Sequence, residues 1–114
     1  MDEPKDIWWE GTSKADLSEF PVDARHLMGY QLHIVQCGDM PDDWKPLKNL
    51  GKGITGVYEI RISVDNNIYR TAYVTKFADV VTVLHCWQKK TRQTSQADKD
   101  LIVSRYRSAK ETLT

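Results

Sequence analysis

The chain has 114 residues, 40% of them hydrophobic and 28% charged, which suffices for one domain with its own core and is ordinary for a globular protein. No apolar run approaches the roughly 20 residues that a membrane helix needs, and the acidic start MDEPKD lacks a signal-peptide pattern, so we expect a cytoplasmic protein. Cys37 and Cys86 are expected to be free thiols, and residues 1–114 to form a single domain.

The net charge of zero hides a division of the chain into two halves of opposite charge. Residues 1–43 contain ten acidic and three basic residues, a net charge of −7, whereas residues 44–114 contain six acidic and thirteen basic residues, a net charge of +7. This division predicts a basic half that faces phosphate, and an acidic half that does not. The alternative is that surface charges merely fell this way.

The first third of the chain predicts one strand and two helices. Ile7–Trp9 is a short β-prone run, expected to be an edge or first strand. Ser13 with Asp16 resembles a capping box and predicts a helix over residues 14–20. A second helix is predicted over residues 22–37, so that the two helices form a hairpin that covers a sheet. The apolar stripe of the second helix consists of Ala24, Leu27, Met28, Ile34 and Val35.

Residues 38–56 are predicted to be irregular, because any long regular element is interrupted by Pro41, Pro46, Gly51, Gly53 and Gly56. Trp44 and Leu47 are expected to attach this loop to the core. The loop either contacts a substrate, for which Lys45, Lys48 and Lys52 would supply charge, or it is a plain connector.

A three-stranded antiparallel meander is predicted over Val57–Val64, Ile68–Phe77 and Val80–Gln88, which are rich in β-branched and aromatic residues. Asp65-Asn66-Asn67 predicts the first turn, and Ala78-Asp79 the second. Such short connections place consecutive strands side by side. The third strand is apolar on both faces, which indicates a central, covered strand.

Basic side chains recur on all three strands of this meander. By strand parity, Arg61 shares a face with Glu59, and Arg70 shares one with Lys76. On the second strand Tyr69, Tyr73 and Phe77 are predicted to take the opposite face. The cations on or just after the strands are Arg61, Arg70, Lys76, Lys89, Lys90 and Arg92, with His85 near the end of the third strand. An anion such as a phosphate chain could lie across this sheet.

The last helix is predicted to begin after Ser95, which with Asp98 forms a second capping pair. The apolar spacing continues to Leu113, and the basic residues of its other face, Lys99, Arg105, Arg107 and Lys110, are expected to be solvated. The chain lacks a phosphate-binding glycine loop, a dinucleotide fingerprint and a CxxC pair. We therefore expect no metal and no organic cofactor.

Three segments carry a resemblance to a known family: VYEIR from Val57, YRxxY from Tyr69 and VLHCWQKKT from Val83. Together with GDMPDDWKPL from Gly38 they resemble the phage-derived Gp49-like, HigB-type branch of the RelE/ParE toxin superfamily. The resemblance covers the chain from Trp9 to Tyr106. It implies an α+β fold in which a helical hairpin lies on one face of a twisted antiparallel sheet, followed by a C-terminal helix.

The same resemblance implies the toxin of a type II toxin–antitoxin system. RelE-like members cleave mRNA in the ribosomal A site without a metal, by attack of the ribose 2′-hydroxyl on the adjacent phosphate. The implied partners are a cognate DNA-binding antitoxin with a helix-turn-helix domain, the ribosome and mRNA. The alternatives are a ParE-like, non-catalytic inhibitor of DNA gyrase and a mobile-element protein that has lost its toxicity.

Carried over by position, the family's catalytic residues are matched by Arg61, Arg70, His85, Lys89 and Lys90. Lys76 and Arg92 are expected to contact RNA. The chain departs from RelE where Glu59 replaces a lysine and where no tyrosine follows the last strand. Two structural alternatives remain: His85 as a core histidine, and Arg61 and Arg70 as surface ion-pair partners of Glu59 and Asp65.

Overall fold

A five-stranded sheet forms the centre of the molecule in a computed structural model that describes residues 3–89 and 92–114. The elements in chain order are β1 (Ile7–Trp9), α1 (Ser13–Ser18), α2 (Val22–Gln36), β2 (Trp44–Pro46), β3 (Tyr58–Val64), β4 (Asn67–Val74), β5 (Val81–Gln88) and α3 (Gln96–Leu113). The predicted α+β fold class is confirmed. None of the helices in the described ranges is long and apolar enough to cross a membrane.

The strand order is β1-β5-β4-β3-β2, so the predicted meander β3–β4–β5 occupies the middle of the sheet. The predicted central position of β5 is confirmed, because β1 and β4 flank it. The expectation of a wholly antiparallel sheet is wrong at one edge, where β1 runs parallel to β5 and Ile7 pairs with Val81. The parallel pairing is possible because the long connection from β1 to the meander includes both helices of the hairpin.

Each face of the sheet has its own hydrophobic core. The helical hairpin α1–α2 covers one face, where Met28 and Leu32 pack with Ile60 and Tyr73. Helix α3 covers the other face, where Ile102 and Tyr106 pack with residues that include Leu84. The layer order is therefore hairpin, sheet and C-terminal helix.

Strand β4 ends at Val74, three residues before the predicted end at Phe77. Ala78 and Asp79 have φ values of 52° and 56°, so they form a tight turn. Since Phe77 precedes that turn and lies outside the strand, alternation does not set its direction. It packs against Tyr106 of α3, with ring centroids 5.2 Å apart, and the predicted placement beside Tyr73 is wrong.

The loop before the meander contains β2, an edge strand that the proline and glycine pattern hid. Lys45 pairs with Glu59 in an antiparallel ladder of only three residue pairs. Trp44 is 39% exposed and meets Tyr58 edge to face, so it does not anchor the loop in the core as expected. Leu47 does pack against the core on the α3 side.

The two predicted capping pairs have different outcomes. At α1 the N-cap is Thr12, one residue earlier than predicted, and the hydroxyl of Ser13 instead donates to the carbonyl of Val83. At α3 the prediction is confirmed, because the hydroxyl of Ser95 accepts a hydrogen bond from the backbone N–H of Asp98 at 3.1 Å. A local pattern located the start of α3 correctly, whereas tertiary contact decided the role of Ser13.

One residue of the predicted solvated face of α3 is instead a docking contact. Arg105 donates from Nη1 to the carbonyl of Leu84 and from Nη2 to the hydroxyl of Thr12. The prediction for the thiols is confirmed, since both cysteines are free. Burial raises the pKa of the Cys86 thiol to about 12.

Candidate functional site

The centre of the candidate site is a buried ion pair between β3 and β4. The side chains of Glu59 and Arg70 have no exposed surface. Nη1 of Arg70 donates to both carboxylate oxygens of Glu59, at 3.0 and 2.8 Å. The hydroxyl of Thr94 donates to Oε1 of Glu59 at 3.2 Å. Because an unpaired buried charge is costly, removal of either Glu59 or Arg70 would leave the other without its main partner in the interior.

Three more cations surround this pair and form, with it, what we term the cation cluster: Lys45, Glu59, Arg61, Arg70 and Lys89. Nζ of Lys45 lies 3.7 Å from Oε2 of Glu59. Arg61 is the direct partner of Arg70 in the β3–β4 ladder. Partial burial and the neighbouring charges of Arg70, Arg61 and Lys45 lower the pKa of Lys89. The cluster contains four cations and the carboxylate of Glu59, and Asp43 lies beside Arg61 as a second carboxylate, so the net charge of this region is positive.

The members of this cluster differ in how much of each side chain is exposed to solvent. Nε and Nη2 of Arg70 are buried and lack a hydrogen-bond partner within the described residues. Arg61, by contrast, is 37% exposed, and its closest ionic contact is a 3.5 Å approach to Asp43, which is itself 58% exposed. Such exposed ion pairs are weak, so Arg61 remains available to an anion.

One sequence alternative is thereby decided in part. Arg70 does form an ion pair with Glu59, but the pair is buried, so the alternative of a surface ion pair is wrong for Arg70. The partner of Arg61 is Asp43 and not Asp65.

His85 forms a separate unit beside the cation cluster. Its Nε2 lies 2.7 Å from Oδ1 of Asp98, and its ring stacks on Trp87 with centroids 4.6 Å apart and planes 10° apart. Trp87 pairs with Arg70 in the β4–β5 ladder, and His85 pairs with Ala72, whose partner on β3 is Glu59. His85 is therefore a diagonal neighbour of Arg70, about 7–8 Å away between Cα atoms.

The protonation of His85 follows from its surroundings. Burial lowers its pKa, and the hydrogen bond with Asp98 opposes that shift without reversing it. The ring is therefore neutral at pH 7, with Nε2–H donating to Asp98 and a lone pair on Nδ1. Nδ1 is buried and has no partner in the described part of the chain, although the residue borders a groove of about 390 Å³. The lone pair on Nδ1 can therefore accept a proton only from a group that reaches it through this groove.

The other predicted site residues lie elsewhere. Lys76 follows the far end of β4, where its Nζ donates to the hydroxyl of Thr55 at 2.7 Å and sits 5.3 Å from the ring centroid of Tyr106. Arg92 is exposed in the link before α3. Lys90 lies outside the described residues. Of the seven predicted site residues, the structure thus brings Arg61, Arg70 and Lys89 together in the cation cluster and places His85 beside them.

Sequence reasoning missed three contributors to the site. Lys45 was interpreted only as loop charge, and Thr94 carried no signal at all. Asp98 was recognised as the capping partner of Ser95, but its second contact, to His85, depends on how α3 docks on β5. Within the described ranges, no group of three or more His, Cys, Asp or Glu residues is placed to hold a metal ion.

Comparison with known families gives one match. The sequence profile of the family described as "Phage derived protein Gp49-like (DUF891)" matches residues 15–107, which include all of the sheet except β1. A search of curated proteins gives no significant match.

Proposed function

Because the chain belongs to the Gp49-like phage-derived family, within the RelE/ParE-like toxin superfamily, we propose that it is the toxin of a type II toxin–antitoxin pair. In this proposal it acts in the cytoplasm as an endoribonuclease that cleaves mRNA on the ribosome and so inhibits translation. Its partners are the ribosome, the message and a DNA-binding antitoxin of the helix-turn-helix kind.

The observation that carries the proposal is the cation cluster. Cleavage by 2′-hydroxyl attack builds negative charge on the non-bridging oxygens of the phosphate, and fixed cations stabilise that charge. Lys45, Arg61 and Lys89 are the accessible cations of the cluster, and Arg61 can bond two phosphate oxygens at once. Arg70 and Glu59 lie beneath them as positioning residues. Lys90 belongs to the same proposal by its place in the sequence.

The proposed chemistry forms one bond and breaks one. The 2′-oxygen attacks phosphorus, the bond from phosphorus to the 5′-oxygen breaks, and a 2′,3′-cyclic phosphate results. Nδ1 of His85 accepts the proton of the 2′-hydroxyl; because Nδ1 is buried in the free protein, the ribose must enter through the groove that His85 borders, while Asp98 holds the ring in the required tautomer. The 5′-oxygen takes a proton from the cluster, and the lowered pKa of Lys89 favours Lys89 as the donor.

A single-turnover assay on programmed ribosomes tests this proposal. Arg61→Gln and Lys89→Gln should each lower the cleavage rate by about 10²- to 10³-fold, as expected for the loss of one group that stabilises the transition state. His85→Gln should lower it by about 10²- to 10⁴-fold, as expected for the loss of a proton-transfer group. Lys110→Gln, on an exposed part of α3, is the matched control and should cleave at the normal rate.

A message with a 2′-deoxy nucleotide at the scissile position should resist the wild-type protein. Cleavage of that message, or normal rates in both Arg61→Gln and Lys89→Gln, would contradict the proposed mechanism.

A non-catalytic, ParE-like inhibitor of DNA gyrase is the second candidate. The observation that favours it is that the buried Arg70 is bound to Glu59, while His85 is held by Asp98 and has a buried Nδ1. A supercoiling assay with purified gyrase distinguishes the two functions. Inhibition of supercoiling together with an intact message would favour this candidate over the endoribonuclease.

A further inference from the structure

Three lysines from different parts of the chain meet in a pocket next to the cation cluster. Lys45 comes from β2, Lys48 from the loop after it, and Lys99 from the first turn of α3. We term this the lysine pocket. It has a volume of about 250 Å³, and the other residues that line it are Pro46, Leu47, Gln93 and Thr94. Its described lining includes no acidic residue.

The lysine pocket has the chemistry of an anion site. Lys45 has the carboxylate of Glu59 at 3.7 Å, whereas within the described residues Lys48 and Lys99 form no ion pair, so an anion in the pocket would relieve the repulsion between these like charges. The volume lies below the roughly 300–1,000 Å³ of typical small-molecule pockets, so it suits a phosphate group better than a whole nucleotide with its base. Lysine is a common phosphate-binding residue, acting as a point charge.

The lysine pocket is continuous with the cation cluster through two shared residues. Lys45 lines the pocket and also lies 3.7 Å from Glu59. Thr94 lines the pocket, and its hydroxyl contacts both members of the buried Glu59–Arg70 pair. An RNA strand whose scissile phosphate lies at Arg61 and Lys89 would therefore reach the pocket with a neighbouring phosphate.

We propose that the lysine pocket binds a second, non-scissile phosphate of single-stranded RNA, adjacent to the one at the cation cluster. The proposal rests on the proposed endoribonuclease function and extends it to Lys48 and Lys99. These two residues act in binding and take no part in the chemical step. Their loss therefore weakens substrate binding and leaves the turnover of bound substrate unchanged.

The test measures binding of a fluorescent single-stranded RNA, made uncleavable by 2′-deoxy substitution, by anisotropy over a range of salt concentrations. The pocket variant is Lys48→Gln/Lys99→Gln, and the charge-matched control is Lys14→Gln/Lys110→Gln. Lys14 lies on α1 across the sheet, and Lys110 lies eleven residues beyond Lys99, about 16 Å along the helix. Thermal melting verifies that each variant is folded.

The slope of log affinity against log salt should decrease by about 0.7 in the pocket variant, the value for one phosphate contact of a single strand, and should not change in the control. In the ribosome assay the pocket variant should raise KM and leave kcat unchanged. An unchanged slope, an equal loss in the control, or an oligonucleotide that the wild-type protein does not bind would each overturn the proposal. If the pocket variant lost binding to an acidic peptide but kept its binding to RNA, the proposal would also be overturned, and the ligand of the pocket would be a protein.

Two outcomes separate this proposal from the proposed function. If the wild-type protein cleaves mRNA and the pocket variant is unaffected in KM and slope, the function stands and the pocket proposal falls. If the wild-type protein does not cleave but the pocket variant loses the salt-dependent contact, the phosphate site stands and the endoribonuclease function falls.

Discussion

At the scale of single residues, the decisive feature is that one arginine of the predicted site is buried and its neighbour on the next strand is exposed. Arg61 and Arg70 are direct partners in the β3–β4 ladder, yet the side chain of Arg70 is 0% exposed and that of Arg61 is 37% exposed. Sequence position suggests equal roles for the two. In the structure the guanidinium of Arg70 is bound to the carboxylate of Glu59. A substitution of Arg70 would therefore change the stability of the fold as well as any activity.

Substitution of Arg70 by methionine should destabilise the fold strongly. It leaves the Glu59 carboxylate buried without its main partner, and breaking one side of a buried ion pair typically costs about 3–5 kcal/mol. The double variant Glu59→Gln/Arg70→Met should be more stable than Arg70→Met, because it no longer contains a buried carboxylate without a partner. Urea unfolding, followed by circular dichroism, measures the free energy of unfolding of each variant.

The exposed pair supplies the control for this prediction. Arg61→Met removes only the 3.5 Å contact with Asp43, and exposed pairs contribute about 0–1 kcal/mol. If Arg70→Met costs no more than Arg61→Met, the Glu59–Arg70 pair is not the buried, coupled unit described above.

At the scale of elements, the contact between β5 and α3 links the sheet to the C-terminal helix. The His85–Asp98 hydrogen bond joins the two elements near the start of α3, and Ser95 caps the same end. Arg105 adds a second contact two turns further on, to the carbonyl of Leu84. The geometry of the candidate proton acceptor therefore depends on how α3 docks, because Asp98 belongs to that helix.

The docking of α3 should weaken in acid. Burial lowers the pKa of His85 in the folded state from its usual 6.5, so the unfolded chain binds a proton more readily than the folded one. The stability that the neutral ring contributes is complete above pH 6.5 and is lost as the pH falls below that value towards the lowered pKa. Urea unfolding at a series of pH values between 8 and 5 should show this decline.

His85→Gln should flatten this pH dependence, whereas His26→Gln, on an exposed position of α2, should leave it unchanged. Equal pH profiles for the wild-type protein and His85→Gln would show that His85 does not titrate as its burial requires.

At the scale of the whole molecule, the acidic half of the chain supplies the edge strand β1 and the helical hairpin, and the basic half supplies the rest of the sheet and α3. The acidic residues 1–43 include α1 and α2, which cover one face, and the basic residues 44–114 supply β2 to β5 and α3. The cation cluster and the lysine pocket both belong to the basic half. In the proposed function, an antitoxin would therefore cover these basic surfaces directly or prevent ribosome access from another side.

We expect that expression of the chain alone arrests bacterial growth and that co-expression of the protein from the adjacent gene, the expected antitoxin, relieves the arrest. The physical reason is that the positive surface attracts ribosomal RNA and mRNA until another protein covers it. Arg61→Gln/Lys89→Gln, produced at the same level, is the control and should not arrest growth. Normal growth with abundant, folded wild-type protein would argue for a chain that has lost toxicity.

The sequence by itself determined the features that depend on neighbouring residues. The β-branched runs and the Asp65-Asn66 turn predicted the β3–β4 hairpin, and these turn residues have the positive φ values, 50° and 66°, that such turns require. Ser95 and Asp98 predicted the start of α3 correctly. The family resemblance was also readable, because its segments are contiguous in the chain. Secondary-structure propensity, turn formation and helix capping depend on residues that are close together in the chain, so they can be predicted from a single sequence.

Only the tertiary structure decided which side chains meet. The hydroxyl of Thr94 reaches Glu59 across 35 positions of sequence, and Lys45 and Lys99 share a pocket although they lie at opposite ends of the basic half. The parallel pairing of β1, the burial of Arg70 and the position of Trp87 beside His85 likewise depend on packing. Contacts between distant segments follow from the register of strands and the docking of helices, which are set by the free energy of the whole core and not by any local pattern.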